Sequence, residues 1–387
     1  MKKFWIALFF LVLTCLSINI PAIKTSAKIE ELVTNCKAAY LCDFHSGTVL
    51  YKQNEEQHLP IASMCKIMTL LLCFEAKENG LSFDKEIAVS KNASSMGGSQ
   101  VFLAADKKYK IAELVKSITI ASANDSCVAM AEEVAGSEES FIQKMNARAK
   151  ELGMYNTVFV NCTGLPKDGQ YSCAKDVSIM LRELLKHKDY YTFSSIWMQD
   201  FKHEGDRVTQ MANTNKLIRH YQGCDAGKTG YTAQAGFCLA ASALRGNMRV
   251  VSVIIGGKDS KSRFENSEIL FDYAFNNYIN KVVLEDKVLT NIECKIVGGK
   301  KTNIAIRPKN SVFIFCKKDD TDKIFYELVL NNNIKAPIKI GDSVGSIIVY
   351  KNNIEYSKVE VIANENLDKL GYYDSIKKIL LNYNFNK

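Results

Sequence analysis

The order of apolar patterns along the chain predicts an α/β domain with a sheet assembled from distant stretches of sequence, followed by a small all-β module. Three observations carry that reading. Strand-like pairs stand far apart, at residues 38–52 and 236–256; a mostly helical stretch lies between them; and near residue 281 the pattern changes to short alternating runs. With 387 residues, 47% hydrophobic and 24% charged, the chain is long enough for more than one domain. That composition excludes a disordered chain, a collagen-like repeat and a polytopic membrane protein.

The elements follow in order. Lys2 and Lys3 precede an apolar run over residues 4–16, and Pro21 and Thr25-Ser26-Ala27 come after it. This is the order of a secretory signal peptide, with cleavage expected after Ala27, and the run is too short to span a bilayer. A lipoprotein reading at Cys15 is opposed by the bulk of Thr14. Loss of Lys2, Lys3 and Lys24 with residues 1–27 takes the formal charge from +8 to +5. Such a mild excess implies no nucleic-acid partner and tolerates an anionic envelope surface.

Residues 38–44 and 48–52 read as two strands joined at His45-Ser46-Gly47. Pro60 then precedes a run over residues 61–74 with almost no polar residue beyond Ser63, Lys66 and Thr69, as in a buried helix. Residues 111–134 and 138–152 are helical segments separated by Gly136, within a region read as mostly helical from about 110 to 220. Residues 236–244 and 248–256 form a second hairpin about Arg245-Gly246-Asn247. Strands at 304–306, 312–316, 324–329, 346–350 and 358–362, with turns at Gly298-Gly299 and Asn331-Asn332-Asn333, make up the module.

Cysteine arithmetic argues against a disulfide framework. Without Cys15 the count falls from 12 to an odd number, no Cys-x-x-Cys occurs, and most cysteines sit in apolar runs such as Leu72-Cys73-Phe74. Mostly free, buried thiols are expected. No His-x-x-x-His occurs either, so a zinc reading lacks a site.

The chemistry begins on the buried helix. Ser63 and Lys66 stand three residues apart, on one helical face, where an apolar setting lowers the proton affinity of the lysine and fits it to activate the hydroxyl. Taken singly this Ser-x-x-Lys is weak, since copies begin at Ser82, Ser172 and Ser375, and Ser-x-Asn recurs at Ser17 and Ser90. The combination is specific. Ser122-Ala123-Asn124 at the end of an apolar helix and a unique Lys228-Thr229-Gly230 before the second hairpin complete the trio of penicillin-binding proteins and class A β-lactamases.

On these residues the sequence resembles the low-molecular-mass penicillin-binding proteins that are serine-type D-alanyl-D-alanine carboxypeptidases. The likeness extends to Ser46-Gly47-Thr48-Val49-Leu50-Tyr51, Asn161-Cys162-Thr163-Gly164-Leu165 and Gly227-Lys228-Thr229-Gly230-Tyr231-Thr232. Ala336-Pro337-Ile338 with Gly341-Asp342 and Gly345 looks like the small β domain of these enzymes. The departures are Met64-Cys65 inside the first motif and Ala123 inside the second. The resemblance implies a β-lactamase-like catalytic domain, an antiparallel sheet with helices on both faces and a helical subregion, over residues 28–281. A β domain over 282–363 and a tail over 364–387 would follow.

What the resemblance implies for the site is equally definite. Ser63 would form an acyl-enzyme with the penultimate D-Ala of a peptidoglycan stem peptide, Lys66 would be its base, and Ser122 would pass a proton to the leaving D-Ala. Asn124 would bind the substrate peptide and Lys66. Lys228 and Thr229 would hold the terminal carboxylate, which a fixed cation and hydroxyl recognise. Gly230 would let substrate lie along the strand edge, and the N–H groups of Ser63 and Tyr231 would form an oxyanion hole. No metal or organic cofactor is implied; β-lactams would be covalent inhibitors.

Alternatives remain. A class A β-lactamase is opposed by the absence of Leu-Asn between Ser122 and Lys228 and by the extra module. A D,D-endopeptidase acting on cross-links and a penicillin-binding sensor without turnover stay open. Asp125, Glu132 and Glu133 read as solvated helix charges, and His203 and His220 as surface residues. In residues 372–385, Ile376, Ile379, Leu380 and Tyr383 share a helical face with lysines elsewhere, which suits a helix in the membrane interface, and the family resemblance implies that such a helix holds the chain to the outer face of the cytoplasmic membrane. Docking of that helix on the β module is the other reading.

Overall fold

The computed structural model describes residues 32–290, 292–372, 374 and 376. The expected signal peptide, and the tail apart from residues 364–372, 374 and 376, lie outside the described residues. The described residues from Asn35 onward form one compact unit.

A five-stranded antiparallel sheet organises the first part of this unit, in the order Val49–Gln53, Ala38–Asp43, Met248–Gly257, Gly236–Arg245, Cys224–Thr232. The first hairpin thus lies beside a strand two hundred residues later, with Tyr40 opposite Val253, as the sequence predicted. Ala38–Asp43 is buried along its whole length and Met248–Gly257 at all but one position. Strands apolar on both faces require cover on both. Helices Ala174–Leu184 and Ser260–Asn277 pack on this sheet, and Asp259 caps the latter with a capping box.

The helical subregion centres on Lys66–Glu78, whose first nine residues are all buried. Its start departs from expectation. Residues Ala62–Cys65 form a 3-10 turn, so Ser63 precedes the α-helix and Lys66 begins it. The helical pattern over 111–134 is likewise broken, into Ile111–Ile120 and Asn124–Ala135. Between them Ser122 takes the left-handed φ of 63°, which costs a non-glycine residue about 1–2 kcal/mol and is kept only where surroundings enforce it. Gly136, at φ 80°, ends the second helix as expected.

The region read as mostly helical up to 220 also holds an antiparallel hairpin, Met198–Lys202 with Val208–Ala212. Its strands bury only one residue each, Phe201 and Met211, so alternation is too thin to register in an apolar pattern.

Beyond helix Ser260–Asn277 the expected all-β module is present. Ile306–Pro308, Ile354–Ala363, Ser343–Lys351 and Ile324–Leu330 form a four-stranded sheet in that order, and Tyr278–Leu284 pairs with Val312–Lys317. Ile314, Val344, Ile347, Val349 and Val361 are at the centre of its own core. The amide of Asn280 joins the two parts, donating to the Asn247 carbonyl at 3.1 Å. Ten of the described cysteines are buried free thiols, Cys65, Cys127 and Cys162 among them, in line with the odd count.

Candidate active site

Three separate segments meet at the start of the central helix. The 3-10 turn carrying Ser63 is squeezed between two glycines. A Cβ on Gly164 would stand 2.0 Å from the Ala62 carbonyl oxygen, and one on Gly230 would stand 2.8 Å from that of Ile61 and 3.0 Å from the Ser63 nitrogen. Only hydrogen at these positions lets the backbones approach so closely. Ala62 itself is bent to φ 47°.

Lys66 is fully buried. Its Nζ lies 3.1 Å from Ser63 Oγ and donates to the Thr163 carbonyl at 2.5 Å. Burial pushes its pKa down; the neighbouring thiols of Cys127, Cys65 and Cys162 oppose this only in part. Lys228, on edge strand Cys224–Thr232, is as deeply buried and donates to the Thr229 carbonyl at 3.1 Å. Burial first, and then the charge of Lys66, depress its pKa strongly. No carboxylate pairs with either lysine among the described residues.

The second motif adds unpartnered acceptors. Ser122 Oγ and Asn124 Oδ1 are buried with no hydrogen-bond partner among the described residues. The Asn124 amide Nδ2 donates to Gly97 O at 2.7 Å, and its backbone N–H to Ser99 O at 2.7 Å. Buried polar atoms without partners are uncommon, and two of them on one short segment are left open to a polar ligand. Thr229 is buried on the same strand, whereas Tyr231 is 57% exposed and stacks on Phe237.

Of the eight residues singled out from the sequence, Ser63 and Lys66 touch directly, and Gly230 packs against the turn that carries Ser63. Gly230 therefore answers to the turn as well as to the strand edge. Ser122 and Asn124 flank the break between two helices, and Lys228 feels the charge of Lys66.

Some supporting residues were missed or misread. Thr163 and Gly164 belong to a segment singled out for likeness but given no role; the carbonyl and the missing Cβ are backbone properties that a side-chain motif does not display. Arg263, from helix Ser260–Asn277, donates to the carbonyls of Gly230 at 3.2 Å and Cys238 at 3.3 Å and carried no sequence signal. Asp125 is not a solvated helix charge. It is fully buried and accepts from the N–H groups of Val101 and Leu103. His203 is not a surface residue either, being buried among Tyr109, Arg207 and Thr209, whereas His220 is exposed.

Residues 24–259 match the D-alanyl-D-alanine carboxypeptidase family, and residues 280–369 match the C-terminal domain of penicillin-binding protein 5. The chain is 38% identical to D-alanyl-D-alanine carboxypeptidase DacF of Bacillus subtilis, with 91% of each chain covered. It is 31% identical to DacC of Escherichia coli over 92% of this chain and 90% of that one. Among solved structures, penicillin binding protein 5 of Haemophilus influenzae superposes with a TM-score of 0.66 at 26% identity, covering 87% of this chain and 98% of the other. With matches running from before the first strand through the β module, the chain belongs to the family of serine-type D-alanyl-D-alanine carboxypeptidases.

Proposed function

We propose that Ser63 is the nucleophile of this carboxypeptidase and that it removes the terminal D-alanine from peptidoglycan stem peptides through an acyl-enzyme. The observation that carries the assignment is the 3.1 Å approach of Ser63 Oγ to a lysine that is fully buried and makes no ion pair among the described residues. Burial favours the neutral amine. A neutral Lys66 keeps one N–H on the Thr163 carbonyl while its lone pair accepts the Ser63 proton, so the alkoxide forms as it attacks the carbonyl carbon of the penultimate D-Ala.

Ser122 then relays that proton, giving its own to the nitrogen of the departing D-Ala while taking one from the Lys66 ammonium, which returns Lys66 to the neutral amine; its unpartnered hydroxyl is free to do so. Asn124 leaves one buried oxygen for a peptide N–H of the substrate. Lys228 and Thr229 take the terminal carboxylate. A buried cation without a counter-ion is costly, and the substrate supplies that counter-ion. Binding therefore draws a proton onto Lys228. The backbone N–H groups of Ser63 and Tyr231 stabilise the oxyanion, with Gly230 between the turn and the strand edge. Water completes the cycle by releasing the shortened peptide.

A penicillin offers the same carbonyl and carboxylate, so β-lactams act as covalent inhibitors at Ser63. The family works on peptidoglycan in the cell envelope, and an exported chain with residues 1–27 removed fits that setting. Attachment to the outer face of the cytoplasmic membrane by the tail is part of the same proposal. Free D-Ala measured from a peptide ending in D-Ala-D-Ala, alongside fluorescent penicillin labelling of wild type and Ser63→Ala, tests the assignment. Turnover that survives Ser63→Ala would overturn it; labelling of the wild type without D-Ala release would make the chain a sensor.

A further inference from the structure

The structure holds a polar relay, buried at His203 and Tyr109, half-buried at Thr209 and exposed at Arg207, that touches none of the motif residues. It begins at His203, in the turn of hairpin Met198–Lys202 with Val208–Ala212. Arg207 donates to His203 Nδ1 at 2.7 Å and to the Phe102 carbonyl at 2.5 Å. Nδ1 also lies 3.3 Å from the Tyr109 hydroxyl, whose oxygen accepts from Ala104 N–H at 3.2 Å. With an arginine donating to Nδ1, that nitrogen must carry the lone pair, and the proton of the neutral ring sits on Nε2. Nε2 therefore donates to Thr209 Oγ1 at 2.9 Å, and that hydroxyl donates to the Val101 carbonyl at 3.1 Å. From Arg207 through His203 and Thr209 to Val101 the donors and acceptors run in one direction. Burial and the adjacent Arg207 hold the His203 pKa below its ordinary value, which favours this neutral form.

All the relay's outer contacts fall on one loop, residues 101–104, where Phe102 has a left-handed φ of 62°. From the other side Asp125 accepts from Val101 and Leu103. The same loop, at Gly97 and Ser99, receives both hydrogen bonds of Asn124. The Gly97 carbonyl decides which way the Asn124 amide faces, because a flip would set oxygen against oxygen. A shift of the loop would release that amide, which leaves its Oδ1 open.

We propose that His203, with Arg207 and Thr209, is a positioning residue for substrate binding. The relay fixes the 97–104 loop and so keeps Asn124 Oδ1 presented to the peptide N–H of the substrate. The inference rests on the site reading given above.

The test compares His203→Phe, His203→Gln and Thr209→Val for D-Ala release from a diacetyl-Lys-D-Ala-D-Ala peptide. Phenylalanine keeps the ring and loses both hydrogen bonds; glutamine offers an acceptor to Arg207 and a donor to Thr209. His203→Phe should raise KM about tenfold and change kcat by less than about threefold, as loss of a buried polar contact would. His203→Gln should return KM to within about threefold of wild type by the same reasoning. Unchanged KM in His203→Phe, or equal impairment in His203→Gln, would overturn the proposal in favour of a packing role. Should His203→Phe fail to fold, Thr209→Val, which removes the hydroxyl that joins His203 Nε2 to the Val101 carbonyl and leaves the Arg207 contacts in place, is read by the same KM criterion. Penicillin labelling at Ser63 separates the two readings: its loss from wild type sinks the site assignment, whereas intact labelling with wild-type KM in the variants sinks only the relay.

Discussion

The cleft and the β module treat their lysines in opposite ways. In the module Lys351 lies 2.8 Å from Asp320 and 2.9 Å from Asp322, and these partners push its pKa up. Lys309 with Glu360 and Lys301 with Glu365 repeat the arrangement near the surface. In the cleft Lys66 and Lys228 are almost inaccessible, make no ion pair among the described residues, and are pushed down. Paired, half-exposed charge contributes little and costs little; buried, unpaired charge is tolerated where a substrate will complete it. The same contrast runs through the glycines. Gly164 and Gly298 both have left-handed φ values, 79° and 73°, but the first abuts the Ser63 turn and the second faces open space.

The comparison can be broken at several depths. The largest effect belongs to Ser63→Ala, which should abolish both D-Ala release and penicillin labelling, since both need the same acyl-enzyme; label retained on another serine would refute the assignment. Lys66→Ala should come next, slowing acylation by about 10²- to 10⁴-fold with folding intact, the usual worth of a positioned general base. Stopped-flow acylation by a fluorescent penicillin reads this directly.

The two cleft lysines should also part in their pH dependence. Lys66 acts neutral, so acylation should speed up as rising pH removes its proton, at a pH below that of an ordinary lysine because its pKa is lowered. Lys228 acts charged, so KM for a peptide with a free carboxylate should climb over the range in which Lys228 loses its proton, again earlier than usual. In Lys228→Met that climb should vanish, with losses smaller on a C-terminally amidated peptide. Equal losses on both peptides would remove Lys228 from carboxylate binding.

A smaller effect separates the glycines. Gly164→Ala should lose about 1–3 kcal/mol by overpacking, beyond the backbone strain common to both sites, and should lose activity with it. Gly298→Ala should show only the strain of about 1–2 kcal/mol and keep wild-type kcat/KM. Denaturant titration with activity assays on both variants checks the pair, and equal costs would mean that the Ser63 turn yields. Least of all should come Lys351→Ala, at about 1 kcal/mol or less, with turnover unaffected.

Much of this was legible in the chain because it depends on local pattern. Burial of the 61–74 run, the hairpin about Gly246, the alternating strands of the module and the free thiols all follow from neighbours within a few residues. The eight site positions were singled out differently, from three motifs in order along the chain and from the roles that the family resemblance implies. The failures share one cause. Asp125 and His203 looked like surface charges because their partners, the 101–104 loop and Arg207 with Tyr109, are found only once the chain has folded.

Sequence by itself determined which residues carry reactive groups, since side-chain chemistry and short-range periodicity are written residue by residue. Tertiary structure alone decided that Lys66 and Lys228 are stripped of water and of counter-ions, and that Gly164 and Gly230 close on the Ser63 turn. It also decided that Asn124 is held by a loop anchored from a distant hairpin. Desolvation and close approach are properties of what surrounds a group, and here those surroundings come from segments as distant in sequence as Ile61 and Gly230.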